Sequence, residues 1–365
     1  MRETRKLYVS LQKTGINVMK KIIPILAMAV LVTWIMFGPL VRGALSVEKL
    51  DEGIYSFEFT GNDGFDGLIR QGGADGPMAL SAYITKFMSR GFSKPPKTKP
   101  AEQDFGCSTM VTEGLDGQTY MGRNFDWDNC RCIIARVNPR HGYRYISAFN
   151  PDFFGFGPDW KPEGFANQYL ALASLFAALD GVNEKGLAVA DLVADENGET
   201  HQNNGKPDLT TTCAIKYLLK TAATVNEAIA LLDGIDHHSD IGAQHHLAIS
   251  DATGRSVVVE WLGDSMIVTD TPIVTNHYLC PENFGAGHHE GDCRFETLAA
   301  IRDSLDSGMD ATQLLDAMSS VWQSWNDETN DRYGGTQWTA LFNLSEPGVD
   351  YFWQRDTGRR FHFSF

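Results

Sequence analysis

From Cys107 onward the chain reads as short apolar runs separated by turn residues. Cys107–Thr112 and Gln118–Phe125 flank Asp116-Gly117, a dipeptide that turns hairpins because glycine accepts a positive φ. Cys130–Val137 and Tyr143–Phe149 predict two more strands. Tyr169–Ala178 and Gly186–Ala194 flank Asn183-Glu184-Lys185 and predict a second hairpin. The period then changes. Thr210–Ala222 and Val225–Leu232 carry helical spacing, with Thr224 as the N-cap of the latter. His246–Ser250, Ser256–Trp261 and Met266–Thr269 return to strands. Arg294–Leu305 and Ala311–Trp322 predict helices, the second capped by Asp310. Gln337–Leu344, Asp350–Gln354 and Arg360–Phe365 close with strands. Strands, then helices, then strands, with hairpin turns throughout, predict an α+β class of antiparallel sheets covered by helices.

The chain before Cys107 has a different character. Residues 45–93 mix glycine-rich turns with one amphipathic helix near Ala79–Met88. Their aromatics (Tyr55, Phe57, Phe59, Phe65, Tyr83, Phe87) predict that the segment folds against something. Residues 94–100 read Lys-Pro-Pro-Lys-Thr-Lys-Pro, a stiff, solvated, protease-accessible linker. Ile22–Val41 holds no charged residue and lies between Lys20-Lys21 and Arg42. A basic flank and an apolar run describe an export signal. The run is near the ~20 residues that span a bilayer, so residues 1–42 are a cleaved signal or a retained anchor. Met19 offers an alternative start, and Val41-Arg42-Gly43 and Gly43-Ala44 are weak cleavage sites. The expected location is extracytoplasmic, secreted or anchored through residues 22–41.

Composition narrows the chemistry. The chain has 365 residues, 43% of them hydrophobic, enough for one large domain or two smaller ones. A net charge of −15 argues against a nucleic-acid surface, which needs clustered Lys and Arg. Six cysteines in an exported chain predict disulfides, with Cys280 and Cys293 as partners across a short loop. No Cys-x-x-Cys pair exists and the histidines are not at ligand spacing, so neither zinc nor any other metal or cofactor is expected.

The candidate chemistry begins at Cys107-Ser108-Thr109. A thiol needs a base or a lowered pKa to act as nucleophile, and no histidine lies nearby in sequence. A cut before Cys107 would supply one: a free α-amine with a pKa near ~8 on the nucleophile's own residue. The upstream linker gives that cut an opportunity. Arg123 and Asp126 follow Cys107 by 16 and 19 residues, in Gly122-Arg123-Asn124-Phe125-Asp126-Trp127. A hairpin at Asp116-Gly117 returns this strand beside Cys107, where a guanidinium favours the thiolate and a carboxylate orients the α-ammonium.

These residues resemble the choloylglycine hydrolase and penicillin V acylase family of linear amide C–N hydrolases. Features of acid ceramidase-like and isopenicillin N acyltransferase-like enzymes are also present. In that family a Cys opens the mature chain and a Gly-Arg-Asn-x-Asp-Trp block follows at this spacing. Further blocks match in order: Asn183-Glu184-Lys185-Gly186-Leu187, Asp251–Glu260, Ile273-Val274-Thr275-Asn276 and Cys293-Arg294-Phe295. The short separation of Asn276 and Arg294 is more like the acyltransferase branch. The resemblance implies a four-layer αββα N-terminal-nucleophile sandwich over residues 107–365. It implies Cys107 as nucleophile, with Arg123, Asp126, Asn276 and Arg294 as its catalytic set. It places Trp127, Asn183 and Asp191 at the substrate wall. Residues 45–106 become a propeptide or a retained short chain.

One position departs from the family. Bile-salt hydrolases carry a second Asn where Ala190-Asp191-Leu192-Val193 ends in Val193. Its side chain donates nothing, so the backbone N–H of Val193 is the expected oxyanion donor beside Asn276, as in the penicillin V acylase-like branch. The implied reaction is hydrolysis of a small N-acyl amide through an acyl-enzyme. An acyl transfer to another amine uses the same intermediate. Bile salts, penicillin V, N-acyl amino acids and N-acyl lipids all fit the class. Phe149–Trp160 and Phe165–Leu172 are expected to line an apolar acyl pocket. Membrane contact through the N-terminal segment and homo-oligomers are both compatible with it. The competing class is an inert exported binding protein on the same fold. The joint presence of Cys107, Arg123, Asp126, Asn276 and Arg294 weighs against that class.

Overall fold

The computed structural model describes residues 37–91, 105–195, 197–286, 293–305, 308–327 and 332–365. Residues 1–36 and the 94–100 linker lie outside the described residues. In chain order the strands and helices are α1 (37–45), β1 (Glu48–Asp51), β2 (Ile54–Gly61), α2 (Phe65–Arg70), α3 (Pro77–Met88), β3 (Phe105–Glu113), β4 (Thr119–Asp128), β5 (Cys132–Pro139), β6 (Tyr145–Phe149), α4 (Gly164–Ala171), β7 (Asp180–Asn183), β8 (Ala188–Asp195), β9 (Asp208–Thr210), α5 (Thr211–Thr221), α6 (Val225–Leu232), β10 (Asp236–His238), β11 (Gln244–Ser250), β12 (Ser256–Leu262), β13 (Ser265–Asp270), β14 (Ile273–Val274), α7 (Cys293–Asp303), α8 (Ala311–Ser320), β15 (Ser324–Asp327), β16 (Arg332–Asn343), β17 (Gly348–Trp353) and β18 (Arg360–Ser364).

Two large sheets stack face to face. One runs β1-β2-β5-β6-β7-β8-β11-β12-β13, and the other β14-β3-β4-β16-β17-β18 with β15 on β16. Neighbours in these sheets are antiparallel except β2 and β5, which run parallel over eight residue pairs. Ile54, Phe125, Trp127, Ile134, Leu192, Trp338 and Tyr351 fill the space between the sheets. A second core lies between the nine-stranded sheet and α1, α2, α3, α5 and α6. A third lies between the other sheet and α7 and α8. The result is an α+β sandwich of two sheets between helix layers. Both faces of the central strands are buried, so they read as continuous apolar runs: Ala188, Ala190 and Leu192 face the partner sheet while Leu187 and Val189 face the helices.

Local signals set many of the elements. Gly117 turns the β3–β4 hairpin at φ 73°. Thr224 accepts the Glu227 N–H at the start of α6, and Asp310 forms a reciprocal capping box with Gln313 on α8. Two expectations fail. Tyr169–Ala178 is not a strand: it completes α4 and continues into a 3₁₀ turn at Leu172–Leu175. Its Ala- and Leu-rich composition favours helix, and an unbroken apolar run carries no period to exclude one. The strand that pairs with β8 is the shorter β7. Cys280 and Cys293 are not joined; all six thiols are free, Cys280 buried and Cys293 exposed at the start of α7.

The segment before Cys107 is built into the molecule. β1 and β2 extend one edge of the nine-stranded sheet. Tyr55, Phe57, Phe59 and Phe65 are buried, and Tyr83 and Phe87 meet the Phe176 ring edge-on.

Candidate active site

The β3–β4 hairpin pairs Cys107 with Phe125, Gly106 with Asp126 and Thr109 with Arg123. Alternation then sorts the side chains. Cys107, Phe125 and Trp127 join the core between the sheets, while Met110 joins the core under α7 and α8. The thiol and the Cys107 nitrogen therefore meet different partners.

On the inner side, Arg123 Nη2 donates to Cys107 Sγ at 3.6 Å and to the Asp191 carbonyl at 3.0 Å. Arg123 is fully buried, its guanidinium 4.8 Å from the centre of the Phe125 ring. Its counter-charge is Asp180, with Nε 3.3 Å from Oδ2. Asp180 accepts from Trp338 Nε1 at 2.8 Å and from the Tyr351 hydroxyl at 3.0 Å. Burial raises the Asp180 pKa above its usual range, against Arg123 and those two donors. Burial likewise pushes the Cys107 thiol up to about 12. Arg123 opposes the rise, and Asp126 and Asp191 add to it. Within an intact chain the thiol is held protonated.

On the nitrogen side, Cys107 N–H donates to Asn276 Oδ1 at 2.6 Å. Asn276 follows β14, which pairs with β3 through Thr109 and Met110. Arg294 in α7 donates Nη2 to the same Oδ1 at 2.7 Å and Nη1 to Asp126 Oδ2 at 2.8 Å. The Thr336 hydroxyl donates to the other Asp126 oxygen at 2.6 Å. Asn276 Nδ2 donates to the Val193 carbonyl at 2.7 Å. Gly106 fits here because it has no side chain: a Cβ would stand 2.9 Å from Arg294 Nη1 and 3.0 Å from Asp126 Oδ2.

Cys107, Arg123, Asp126, Asn276, Arg294 and the Val193 backbone are thus brought together. Other expected residues differ. Asn183 is not at this cluster; its Nδ2 donates to the Leu219 and Ala222 carbonyls and its Oδ1 takes the Lys185 and Leu187 N–H groups. It ties the β7–β8 turn to the end of α5. The Asp191 carboxylate is engaged by buried His245 at 2.8 Å, and only its carbonyl reaches Arg123. Burial works against charge on His245, but Asp191 and Asp240 outweigh it and raise its pKa. Trp127 stacks on Phe125, 5.6 Å between ring centres, and packs on Phe153 at 5.2 Å. The aromatic path from Cys107 continues through Phe149 to Phe154. The 149–160 loop therefore begins at the inner side of the site. Sequence reasoning missed Asp180, Thr336 and Trp338. Asp180 did carry a signal: it is the lone charge between Ala171 and Asn183.

The fold is the α+β sandwich of the N-terminal-nucleophile hydrolases. A variant of the conjugated bile acid hydrolase from Clostridium perfringens superposes with a TM-score of 0.52 at 19% identity, covering 71% of this chain and 92% of that one. Penicillin V acylase from Agrobacterium tumefaciens superposes with a TM-score of 0.50 at 20% identity, covering 68% and 83%. The chain belongs to the family described as acyl-coenzyme A:6-aminopenicillanic acid acyl-transferase, which matches residues 112–357, and so to the choloylglycine hydrolase and penicillin V acylase group. A bile salt hydrolase/transferase of Bifidobacterium longum is 31% identical over 198 residues. That alignment spans 48% of this chain and 60% of the relative. A penicillin V acylase of Pectobacterium atrosepticum is 32% identical over 100 residues, 24% of this chain and 26% of the relative.

Proposed function

We propose that the chain is the precursor of an amide hydrolase that acts on linear N-acyl amides with Cys107 as an N-terminal nucleophile. The observation that carries this reading is the double hold on one residue: Arg123 at the thiol, and Asn276 braced by Arg294 at the nitrogen. Cleavage between Gly106 and Cys107 turns that nitrogen into an α-amine. The amine takes the thiol proton, and Arg123 steadies the thiolate. The thiolate attacks the substrate carbonyl. Asn276 Nδ2, set by the Val193 carbonyl, meets the oxyanion. An extended residue points its N–H and C=O to the same side, so the Val193 N–H is the second donor. Removing one such donor from a comparable site costs about 3–4 kcal/mol of transition-state stabilisation. The ammonium, oriented by the Asp126–Arg294–Asn276 network, gives its proton to the leaving amine. Water then releases the acid.

Two further observations support the reading. Solved variants of the Clostridium enzyme replace a cysteine and an arginine 16 positions apart, the separation of Cys107 and Arg123. The family name and the hydrolase/transferase relative favour acyl transfer as a second outcome of the same acyl-enzyme. Residues 45–106 are proposed to stay bound as a short chain, and residues 1–42 to direct export or anchoring.

The test is intact mass and N-terminal sequencing of the expressed full chain beside a Cys107→Ala variant. The expected result is a wild-type chain beginning at Cys107 and a variant left uncut. A panel of N-acyl amides, with and without an added amine, then separates hydrolysis from transfer. If the wild type stays joined at Gly106–Cys107 at neutral and acidic pH and cleaves no amide, the inert-fold reading replaces this one.

A further inference from the structure

Asn276 is the part of the site with the shortest stretch of sheet behind it. β14 carries two residues, Ile273 and Val274, and its ladder to β3 ends before Thr275 and Asn276. Yet the Asn276 side chain takes the Cys107 N–H on Oδ1 and donates from Nδ2 to the Val193 carbonyl, where the oxyanion is proposed to form. A misplacement of about 1 Å in such a group can cost on the order of 10²-fold in rate. The facing sheet supplies a second hold on this segment.

In β11, Leu247 belongs to the core under the helices and Ala248 to the core between the sheets. Alternation puts His246 on the inner face with Ala248, toward the facing sheet. Glu260 of β12 shares that face: Leu247 pairs with Val259, and the next step sets Glu260 beside His246. Both side chains are fully buried. His246 Nε2 meets the Thr275 carbonyl at 2.8 Å, and Nδ1 meets Glu260 Oε1 at 3.2 Å. A carbonyl and a carboxylate are both acceptors, so the ring bonds both only as the imidazolium. Glu260 is committed in the same way. The Leu279 N–H donates to its Oε1 at 2.8 Å and the Cys280 N–H to its Oε2 at 2.7 Å. Burial works against its charge, but His246 and these two N–H groups outweigh burial and keep its pKa below the usual value. The pair thus grips the 275–280 segment at both ends, with Asn276 between.

We propose that His246, paired with Glu260, is a positioning residue for Asn276: it fixes the Thr275 carbonyl, and with it the Asn276 side chain that holds the Cys107 nitrogen and meets the oxyanion. The inference rests on the assignment of Cys107 as nucleophile and Asn276 as oxyanion donor. His246 acts through a backbone carbonyl, not on the reacting atoms. A purely structural role would cost stability and leave the chemistry of the folded molecules unchanged.

The full chain is expressed as wild type, His246→Gln, Asn276→Ala and the double variant, and kcat per cut chain is measured on an N-acyl amide that the wild type cleaves. His246→Gln is expected to lower kcat about 10- to 100-fold with KM within about twofold. In the Asn276→Ala background the same change should cost less than about threefold, because the residue it acts through is gone. The full loss in both backgrounds, or a loss confined to KM, overturns the proposal. Should His246→Gln not fold, adding Glu260→Gln removes both charges of the buried pair, and that variant takes its place. A second readout needs no turnover. Hydrogen exchange is followed in the uncut Cys107→Ala chain, where the amide at position 107 keeps Asn276 Oδ1 as its acceptor. His246→Gln should speed exchange at 107 about tenfold, the worth of one hydrogen bond. Ala248 and Val258, paired in the β11–β12 ladder, should keep their protection. Unchanged exchange at 107 overturns the proposal. A wild type that stays joined and cleaves no amide overturns the Cys107 assignment instead, and exchange at 107 then decides whether His246 holds Asn276.

Discussion

Arg123 shows how much of the site is devoted to keeping one charge in place. Its guanidinium is fully buried, and its neighbours are the Asp180 carboxylate, the Asp191 carbonyl, the thiol and the ring of Phe125. Removing one partner of a buried ion pair costs about 3–5 kcal/mol, because the other charge is left uncompensated. Asp180→Asn should therefore lower the melting temperature sharply at pH 7. Adding Arg123→Met should recover part of the loss, so the double variant melts above the sum of the two single effects. Additive melting shifts would show that the two side chains do not act as a pair. Asp152 makes the opposite case. It lies in the 3₁₀ turn Pro151–Phe154 near Trp127, and burial raises its pKa to about 6. A folded pKa above the unfolded value of 3.8 gives stability that is full below pH 3.8 and lost as pH rises through 6. Asp152→Asn, which does not titrate, should thus stabilise the fold at pH 8 by up to about 3 kcal/mol and leave it unchanged near pH 3. Thermal melts at the two pH values check the sign.

At the scale of the element, α5 packs onto the sheet with two lysines on its buried side. Lys220 pairs with Asp63 at 2.9 Å and Asp66 at 2.8 Å. Lys216 has a hydrogen bond to the Ser147 hydroxyl at 2.8 Å, and its ammonium stands 4.3 Å from the centre of the Tyr145 ring. Burial lowers its pKa to about 7, with Asp63 opposing. A folded pKa below the unfolded 10.5 gives stability that is present above pH 10.5 and lost as pH falls through 7. Lys216→Met should therefore stabilise α5 on the sheet most at pH 6, with the gain vanishing toward pH 10.5. Losing the Ser147 hydrogen bond subtracts about 1 kcal/mol at either end. Denaturant unfolding across that range reads both effects.

For the molecule as a whole, the proposed cut and the physical boundary fall in different places. Cleavage at Cys107 would break β3 at its start, but β2 is held to β5 by an eight-residue parallel ladder and carries three buried aromatics into the core. Burying each such side chain stabilises by about 1.5–3 kcal/mol, and separation would expose them together with the face of the sheet beneath. The two chains of the cleaved protein should elute as one species in gel filtration and part only in denaturant. Elution of the long chain alone, still folded, would place residues 45–106 outside the working enzyme.

The sequence by itself determined the features whose causes are local. A positive φ at Gly117, the Thr224 cap and the Asp310–Gln313 capping box each depend on residues within a few positions, and they place β3–β4, α6 and α8. The 16-residue step from Cys107 to Arg123 is legible for the same reason, because a tight turn returns the strand at a fixed register. Tertiary structure decided the rest. Thr336 reaches Asp126 across 210 residues, between the neighbouring strands β16 and β4, and Asn276 reaches Val193 across 83, from the end of β14 to β8 of the facing sheet. It also separated motif from site. Asn183 lies in a matching block, yet its hydrogen bonds hold a turn to α5, whereas Asp180, three residues earlier, holds Arg123. Both lie on a strand with two buried faces, and without an alternating pattern nothing in the sequence says which face a side chain takes.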